Sequence, residues 1–320
     1  MRAVVRAPAR LHLGFITPAA VEGRRYGSVG VAIEEPATVV LAEGAEGLSV
    51  EGVRAGEAER FALATLRWLG LPGARLVVER APPPHVGLGS TTQLALAVAC
   101  AIAKAYGLDV DPVEAAGVLG RGSRSGAGVY AFKCGGLVVD GGRGAGTGVP
   151  PLVFRCDLPQ GWLFLTAVPR GAGLSGRREA EAFEALSAKP QVAYRAAYVA
   201  LMRLIPAALE GDFEAFSLAL AEFQTLVGEA FSEVQGGVFA EHSLRAVEAM
   251  RALGIKGVGQ SSWGPAVYGL VKAEEAEERL EEARGALPDC EVFLARPSSR
   301  GATYWLAGRG SAEGGGGGLD

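Results

Sequence analysis

The chain has 320 residues, 49% hydrophobic and 21% charged, a composition typical of a globular protein with one large or two smaller domains. Its 31 Lys and Arg against 35 Asp and Glu leave a formal net charge of −4, so no overall basic charge indicates a nucleic-acid-binding protein. Four widely spaced cysteines form no C-x-x-C pair, which argues against structural zinc and favours a reducing compartment.

The amino terminus and the apolar runs predict no membrane segment. Residues 1–7 lack a long apolar stretch and alternate like a strand, so they do not resemble a signal peptide. No stretch approaches the roughly 20 apolar residues of a membrane helix. We therefore expect a cytoplasmic protein that binds neither membranes nor nucleic acid.

The first 80 residues predict a sheet with one helix against it. Gly and Pro punctuate β-like runs, and residues 57–69 place their apolar side chains on one broad helical face. The predicted strands are Val4–Ala7, Leu11–Ile16, Val29–Ile33, Ala37–Ala42, Leu48–Val50 and Ala74–Glu79.

The strand near residue 10 carries polar side chains on one face. Arg10, His12 and Gly14 alternate there with Leu11, Leu13 and Phe15. A guanidinium binds phosphate or carboxylate with two parallel hydrogen bonds, and an imidazole changes charge near neutral pH. These two side chains therefore suit a ligand site, and the alternative is an edge strand with solvent-facing polar residues.

A glycine loop that leads into an apolar helix dominates residues 82–99. Prolines forbid a helix up to Pro84, and a run of Ala, Leu and Val follows Ser90. The first turn of a helix has unpaired N–H groups and a partial positive charge, and glycines let the backbone approach a ligand. These features predict a phosphate or diphosphate site; the alternative is an ordinary helix capped by Ser90 or Thr91. The candidate phosphate-binding residues are Gly87, Leu88, Gly89, Ser90, Thr91, Thr92 and Gln93.

Residues 90–170 predict two helices and several strands. The apolar helix extends over 90–106, and Asp111-Pro112 is a good start signal for a second helix. Tyr130–Lys133 and Gly136–Val139 are typical of a hairpin around Cys134-Gly135. Further strands are expected at Leu152–Arg155 and Trp162–Val168.

Two features of this middle region suit anionic or metal ligands. Arg121 and Arg124 lie in the Gly/Ser-rich loop Gly120–Gly128, which could wrap an anion, although two solvated side chains are the alternative. Asp140 ends a predicted strand before Gly141-Gly142, which is also a common turn. Its carboxylate could hold Mg²⁺ against a diphosphate, because Mg²⁺ binds through one or two carboxylates and phosphate oxygens.

The second half of the chain is mostly helical. Helices are predicted at about 177–187, 191–210, 212–232 and 241–253, with Pro206 interrupting the second one. Strands Lys256–Gly259, Ala266–Val271 and Glu291–Ala295 and a helix over 273–285 follow. Segregated helices and mixed strands predict an α+β fold. We expect an N-terminal domain over 1–158, a C-terminal domain over 159–308 and a flexible Gly-rich tail over 309–320.

Three segments in this order resemble the three motifs of the GHMP kinase superfamily. They are the strand segment Arg6–Phe15, the glycine loop at 82–99 and the loop Gly257–Val267. The resemblance implies an N-terminal α/β domain, a C-terminal ferredoxin-like domain and a site between them. It further implies that the third motif, with Gln260, Ser261 and Ser262, packs beside the phosphate loop and contacts the ligand.

One non-kinase branch of the superfamily fits better than the kinases. Residues 10–16, 85–94, 120–126 and 135–142 resemble the β-ribofuranosylaminobenzene 5′-phosphate synthases of methanopterin biosynthesis. Many superfamily kinases place a catalytic Asp in a Ser-Gly-x-Asp run, but here Gly128 ends the matching run Ser125–Gly128. The alternatives are an ATP-dependent small-molecule kinase and a member that only binds its ligand.

The resemblance implies a reaction and a set of site residues. Phosphoribosyl diphosphate (PRPP) would react with 4-aminobenzoate or 4-hydroxybenzoate and release CO₂ and diphosphate, with Mg²⁺ as the cofactor and a homodimer as the assembly. Arg10, His12 and Arg124 are the catalytic candidates, Arg121 is an anion-binding candidate and Asp140 is the metal candidate. Trp263 could stack on the aromatic acid, although buried Trp is usually core.

Overall fold

Two β-sheets organise the chain in a computed structural model that describes residues 1–170 and 176–307. The first sheet is built on the long antiparallel pair β1 (Arg2–Val21) and β2 (Arg24–Gly44). Its other strands are β3 (Leu48–Gly52), β4 (Ala74–Arg80), β5 (Leu137–Asp140), β6 (Leu152–Cys156) and β11 (Thr303–Ala307). The predicted flexible tail over 309–320 lies outside the described residues.

The two long strands replace four shorter ones that the sequence predicts. Pro8 and Pro36 suggested breaks, but they lie where the pairing between β1 and β2 shifts register, between Ala7 and Ala9. Proline has no N–H for the sheet ladder and is tolerated at such irregularities. Each strand therefore continues through its proline, and only the hydrogen-bonded pairing between the two strands is interrupted there.

Four helices accompany this sheet, namely α1 (Ala55–Leu69), α2 (Ser90–Ala105), α3 (Pro112–Val118) and α4 (Ala127–Cys134). Helices α1, α2 and α4 pack against its strands, whereas α3 packs against these three helices. The predicted hairpin at Tyr130–Lys133 is wrong, because these residues lie in α4, where Val129 and Phe132 are buried in one core cluster with α2. A short apolar run does not distinguish a buried helix from a strand by periodicity alone.

The second sheet is fully antiparallel, with the order β10-β7-β9-β8. Its strands are β7 (Trp162–Pro169), β8 (Lys256–Gln260), β9 (Val267–Lys272) and β10 (Cys290–Ala295). The helices between β7 and β8 are α5 (Gly176–Glu184), α6 (Pro190–Val199), α7 (Ile205–Glu210), α8 (Phe213–Gln235) and α9 (Glu241–Ala252), and α10 (Ala276–Ala286) joins β9 to β10. This β-α-β-β-α-β order confirms the α+β class and the ferredoxin-like C-terminal half.

Pro206 does not break the helical run that contains it. A π-helical turn at Ala200–Leu204 joins α6 to α7, so the backbone stays helical through the proline. The run Pro190–Glu210 is long and apolar enough to span a membrane by length and composition, contrary to the expectation from the sequence. Val199, Leu204 and Ile205 are buried in the core, so we interpret it as a core helix.

Helix α8 joins the two sheets at the centre of the molecule. Gln224 donates a hydrogen bond to the carbonyl of Leu13 in β1 and accepts one of 2.8 Å from the N–H of Gln260 in β8. The predicted domain division at residue 158 falls between β6 and β7, which belong to different sheets. Strand β11 pairs with β1, so the chain returns to the first sheet at its described end.

Candidate active site

A cavity of about 750 Å³ lies where the three predicted motifs meet. β1, the glycine loop and the first turn of α2 form one part of its lining, and α1 adds Glu57, Arg60 and Phe61. The loop between α3 and α4, Glu179 of α5 and the loop after β8 complete it. Segments far apart in the sequence therefore form one concave site, the usual geometry of a small-molecule site.

The glycine loop holds its shape because two glycines adopt left-handed backbone angles. Gly87 has φ +89° and Gly89 has φ +70°. A Cβ on Gly89 would lie 2.8 Å from Cγ of Arg10, and one on Gly87 would lie 2.8 Å from the carbonyl oxygen of Ser261. These glycines are thus required for close contact with the first and third motifs as well as for approach to a ligand.

The first turn of α2 is left open toward a ligand. Gly89 is the N-cap and provides no side-chain cap, which differs from the alternative of a helix capped by Ser90 or Thr91. The N–H groups of Thr92 and Gln93 donate to the Gly89 carbonyl over 3.1 and 3.2 Å. Within the described residues the N–H groups of Ser90 and Thr91 have no backbone acceptor, so they remain as donors beside the cavity.

Arg10 and Arg121 are cations of the cavity wall without a carboxylate partner among the described residues. Arg10 donates from Nη1 to the Gly87 carbonyl over 2.9 Å, while its buried Nε has no partner. Arg121 reaches only the hydroxyl of Thr92, at 3.4 Å. Both residues are half-buried, and a cation withdrawn from water without a counter-ion is costly, so the pair indicates an anionic ligand.

Burial and the neighbouring charges shift the pKa of both arginines. Burial lowers the pKa of Arg10 to about 10; Glu179 opposes this shift and Arg121 adds to it. Burial likewise lowers the pKa of Arg121, against the raising effects of Glu179 and Glu57. Even at a pKa of about 10, Arg10 stays protonated at neutral pH.

Arg124 also lines the cavity but has a different environment. Its Nη1 is 3.1 Å from the carboxylate of Glu179, and its guanidinium lies 5.0 Å from the ring centroid of Phe183. Phe15 and Trp263 line the cavity and belong to the same buried aromatic cluster as Phe183. The surroundings of Arg124 therefore combine apolar aromatic surface with a cation, as an aromatic carboxylate would require.

His12 lines the cavity and anchors a buried hydrogen-bond network. Its Nε2 lies 3.2 Å from Oγ of Ser125, which is 2.6 Å from Oγ of Ser28, and Ser28 donates to Asp140. Burial and the charge of Arg10 hold the pKa of His12 well below its usual value. The imidazole is therefore neutral near pH 7.

A β-bulge in β1 changes the side of the strand on which Phe15 lies, so one detail of the predicted alternation is wrong. Leu11 and Leu13 are buried in the core as the alternation predicts, but the pairing with β2 shifts between His12 and Gly14. Phe15 consequently lies beside His12, with ring centroids 4.5 Å apart, and also lines the cavity. Bulges commonly redirect a side chain in this way.

Asp140, the metal candidate, lies behind the cavity and does not line it. It is 1% exposed, and its oxygens accept hydrogen bonds from Ser28 and from the N–H groups of Gly126 and Gly142, the latter two at 2.9 Å. Burial raises its pKa, and these hydrogen bonds oppose that shift. Both oxygens of Asp140 therefore accept hydrogen bonds from the protein, and its role as a metal ligand stays a prediction.

The third motif clamps the first two together. Oγ of Ser261 accepts the N–H of His12 over 2.9 Å and donates to the Gly87 carbonyl over 2.6 Å. Ser262, with φ +59°, lines the cavity and donates its N–H to the His12 carbonyl over 3.3 Å. The family resemblance predicts that both serines contact the ligand. In the structure the buried Ser261 connects the first motif to the glycine loop.

Three other candidates also have structural positions. Leu88 is buried in the core, and Gln93 donates to the Gly128 carbonyl over 2.7 Å and so ties α2 to α4. Gln260 accepts the N–H of Ala240 over 2.9 Å and donates to the Ser262 carbonyl over 2.9 Å. None of the three lines the cavity.

Several cavity residues were missed from the sequence. Glu57 and Glu179 are the carboxylates of the lining, and Arg60 is an exposed cation on α1. Arg54 does not line the cavity but forms a 2.6 Å ion pair with Glu57 and donates to the hydroxyl of Thr91 over 3.0 Å. In the sequence, the spacing of Arg54 and Glu57 at the start of a predicted helix was the only feature that could have indicated Glu57.

Family comparisons match both halves of the chain. The model for the GHMP kinases N terminal domain matches residues 57–136, and the one for GHMP kinases C terminal matches 204–289. The β-ribofuranosylphenol 5′-phosphate synthase of Methanothermobacter thermautotrophicus is 33% identical over 292 residues, which cover 83% of this chain and 88% of that protein. The protein of the same name from Archaeoglobus fulgidus is 33% identical over 281 residues, covering 83% and 87%.

Solved structures agree in fold. The homoserine kinase of Cytophaga hutchinsonii matches with a TM-score of 0.65 at 16% identity, covering 95% of this chain and 97% of that one. The mevalonate kinase of Methanococcus jannaschii matches with a TM-score of 0.66 at 16% identity, covering 92% and 98%. At these identities the likeness concerns the fold alone.

Proposed function

The chain belongs to the GHMP kinase family, in the branch of the β-ribofuranosylphenol 5′-phosphate synthases, and on that premise we propose that it is a phosphoribosyltransferase. It transfers the phosphoribosyl group of PRPP to 4-hydroxybenzoate or 4-aminobenzoate, with loss of CO₂ and diphosphate, in methanopterin biosynthesis. The two matching relatives above are named for the phenol product, which favours 4-hydroxybenzoate as the acceptor.

The observation that carries the proposal is the pair of cavity arginines that have no acidic partner among residues 1–170 and 176–307. Arg10 and Arg121 face the same space as the open N-terminal turn of α2. The positive end of the α2 helix dipole, free N–H donors and two guanidinium groups together suit a diphosphate or a phosphate. The 750 Å³ volume is within the range of sites for small organic ligands and can hold both substrates.

The reaction has a simple electron balance. The bond between ribose C1 and the diphosphate oxygen breaks, and its electron pair leaves with diphosphate. The ring carbon that bears the carboxylate then forms a bond to C1. Finally the carbon–carboxylate bond breaks, its electron pair restores the aromatic ring and CO₂ leaves. Arg10, Arg121 and the first turn of α2 would stabilise the charge on diphosphate, and Arg124 would orient the benzoate carboxylate.

Magnesium is part of the proposal, and the donor set of the cavity is compatible with it. Mg²⁺ is held by few carboxylates together with substrate phosphates. Glu57 and Glu179 supply carboxylates at the cavity wall, and the described residues contain no cluster of three or more His, Cys, Asp or Glu side chains. Bound there, the ion would neutralise charge on the leaving diphosphate.

A kinase of the same family is the second candidate, and the site argues against it. Gly128 lies in the buried helix α4, where many related kinases place their catalytic carboxylate, and it has no side chain to accept a proton. A Cβ there would meet Thr92 at an ordinary 3.5 Å, so crowding alone does not explain the glycine. The absence of the carboxylate at a position with room for it supports the transferase.

The deciding experiment measures products. Pure protein is incubated with PRPP, Mg²⁺ and carboxyl-labelled 4-hydroxybenzoate or 4-aminobenzoate, and released CO₂ and diphosphate are followed. Equal amounts of both products, dependent on all components, are expected. A parallel screen follows ADP release with mevalonate, homoserine, galactose and pantoate. ADP release with one of these alcohols and no CO₂ with either benzoate would contradict the proposal.

A homodimer in the cytoplasm completes the proposal. The four cysteines are free thiols, in keeping with a reducing compartment. Light scattering coupled to size-exclusion chromatography measures the assembly directly, and a monomer would contradict the dimer without affecting the proposed reaction.

A further inference from the structure

A continuous hydrogen-bond chain leads from the cavity wall into the protein. It begins at His12 on β1, passes through Ser125 before α4 and Ser28 on β2, and ends at Asp140 on β5. His12 and Asp140 are each 1% exposed and Ser28 is fully buried. Four segments of the first half of the chain thus meet in a polar chain inside an otherwise apolar region.

The donors and acceptors of this chain allow one consistent direction. Asp140 receives two backbone N–H groups, which can only donate, so its carboxylate acts as the acceptor for Ser28 as well. With its proton committed to Asp140, Ser28 must accept from Ser125. The oxygen of Ser125, which also accepts the Ala127 N–H over 3.2 Å, must then accept from Nε2 of His12.

This direction determines which nitrogen of His12 carries the proton. Nε2 is the protonated nitrogen, so Nδ1 of the neutral ring carries a lone pair. Nδ1 is buried and has no partner among the described residues. A buried acceptor without a donor is unfavourable, and since His12 lines the cavity, the missing donor is expected from a bound molecule.

We propose that Ser125, Ser28 and Asp140 are positioning residues that hold His12 in its Nε2–H tautomer, so that Nδ1 accepts a hydrogen bond from a substrate hydroxyl. The hydroxyl could belong to the ribose of PRPP or to the para position of 4-hydroxybenzoate. This identification of the ligand rests on the proposed function, whereas the tautomer follows from the hydrogen-bond chain alone.

The tautomer can be measured without turnover. The sequence contains only three histidines, His12, His85 and His242, so the imidazole nitrogens of ¹⁵N-labelled protein give few signals. His85→Gln and His242→Gln variants assign the remaining set to His12. We expect a protonated Nε2 and an unprotonated Nδ1. A His12 ring protonated on Nδ1 in the wild type would overturn the proposal.

Ser28→Ala tests the chain itself. Without Ser28, the Ser125 hydroxyl loses its acceptor and is free to donate to Nε2, so the His12 signals should shift toward the Nδ1–H tautomer. Ser217→Ala, which removes a buried hydroxyl on α8 away from the cavity, is the matched control and should leave them unchanged. An unchanged tautomer in a folded Ser28→Ala protein would overturn the proposal that the hydrogen-bond chain determines the tautomer of His12.

Ser125 offers a second pair of variants if Ser28→Ala fails to fold. Ser125→Thr keeps the hydroxyl and should retain the tautomer, whereas Ser125→Ala removes the hydrogen bond that links His12 to Ser28 and Asp140. We expect Ser125→Ala to raise KM for one substrate by about five- to tenfold, the cost of one hydrogen bond, and Ser125→Thr to restore it. Equal effects of both variants on tautomer and KM would contradict the proposal.

The two possible ligands are separated by titration. PRPP and 4-hydroxybenzoate are added separately to labelled protein while the Nδ1 signal of His12 is followed. A shift with one of them, together with a raised KM for the same compound in Ser125→Ala, identifies the hydroxyl. If neither compound moves Nδ1, the ligand assignment is overturned. A correct tautomer in a protein without CO₂ release would instead refute the proposed function alone.

Discussion

The cavity contains two groups of arginines in opposite settings. Arg10 and Arg121 have no carboxylate within ion-pair distance in the described chain, whereas Arg124 is paired with Glu179 and lies against Phe183. A half-buried guanidinium without a counter-ion favours an anionic ligand, while a paired one already has its counter-ion. We therefore propose that Arg10 and Arg121 bind the phosphate groups and that Arg124, which lies beside aromatic rings, binds the aromatic acid.

The largest effect should come from Arg10→Ala. Loss of a largely desolvated, charge-assisted contact is worth a few kcal/mol, so we expect kcat/KM to fall by about 10²-fold or more. Arg25→Ala is the control, because Arg25 donates to the Phe183 carbonyl over 3.2 Å but does not line the cavity. It should change kcat/KM only several-fold. If Arg25→Ala were the costlier change in folded protein, the assignment of the phosphate groups to Arg10 would be wrong.

Gly89→Ala should be next in size. Its Cβ would come within 2.8 Å of Arg10 at a φ of +70°, so the loop and the guanidinium cannot both keep their positions. We expect the Kd for PRPP, measured by calorimetry, to rise at least about tenfold. Gly70→Ala at the end of α1 has a similar φ of +65° but nothing within 4 Å of its Cβ, which controls for backbone strain. Equal PRPP affinity in the two variants would argue against the loop as the anion site.

Arg124→Ala should affect the other substrate, and more weakly. The Arg124–Glu179 pair is partly solvent-exposed, so its own contribution to stability is about 1 kcal/mol or less. We expect KM for 4-hydroxybenzoate to rise about fivefold with little change in the Kd for PRPP. The opposite pattern, with PRPP binding lost and the benzoate KM unchanged, would contradict our assignment of the aromatic acid to Arg124.

The last expected effect concerns stability and not activity, and it arises from His12, whose folded-state pKa is depressed by burial and by Arg10. Below pH 6.5 the unfolded chain binds a proton that folded His12 does not, so acidification favours unfolding. The wild type should therefore lose up to about 1.4 kcal/mol of stability per pH unit as the pH falls below 6.5, relative to His12→Gln. Urea unfolding of both proteins between pH 5 and 7 measures the difference. Parallel pH profiles would show that His12 is not held neutral.

Local patterns in the sequence were enough for most secondary structure. The prolines before Gly87, the apolar run after Ser90 and the alternation of Arg10 with Leu11 and Leu13 gave the correct elements. The errors occur where contacts with distant segments of the chain determine the local structure. Residues 130–133 became a helix because α2 provides an apolar surface for Val129 and Phe132, and Phe15 changed sides because of a bulge in the pairing with β2.

The sequence by itself determined the family and the α+β class, and it predicted the glycine loop before α2, since these depend on motifs of consecutive residues whose conformation is set locally. Only the tertiary structure decided which candidates face the ligand. Ser261, Gln93 and Asp140 are polar residues in the predicted site segments, yet each forms hydrogen bonds to another segment of the protein. Whether a side chain contacts a substrate or another segment depends on residues as much as 249 positions away, as between His12 and Ser261, and that proximity arises only when both sheets pack around α8.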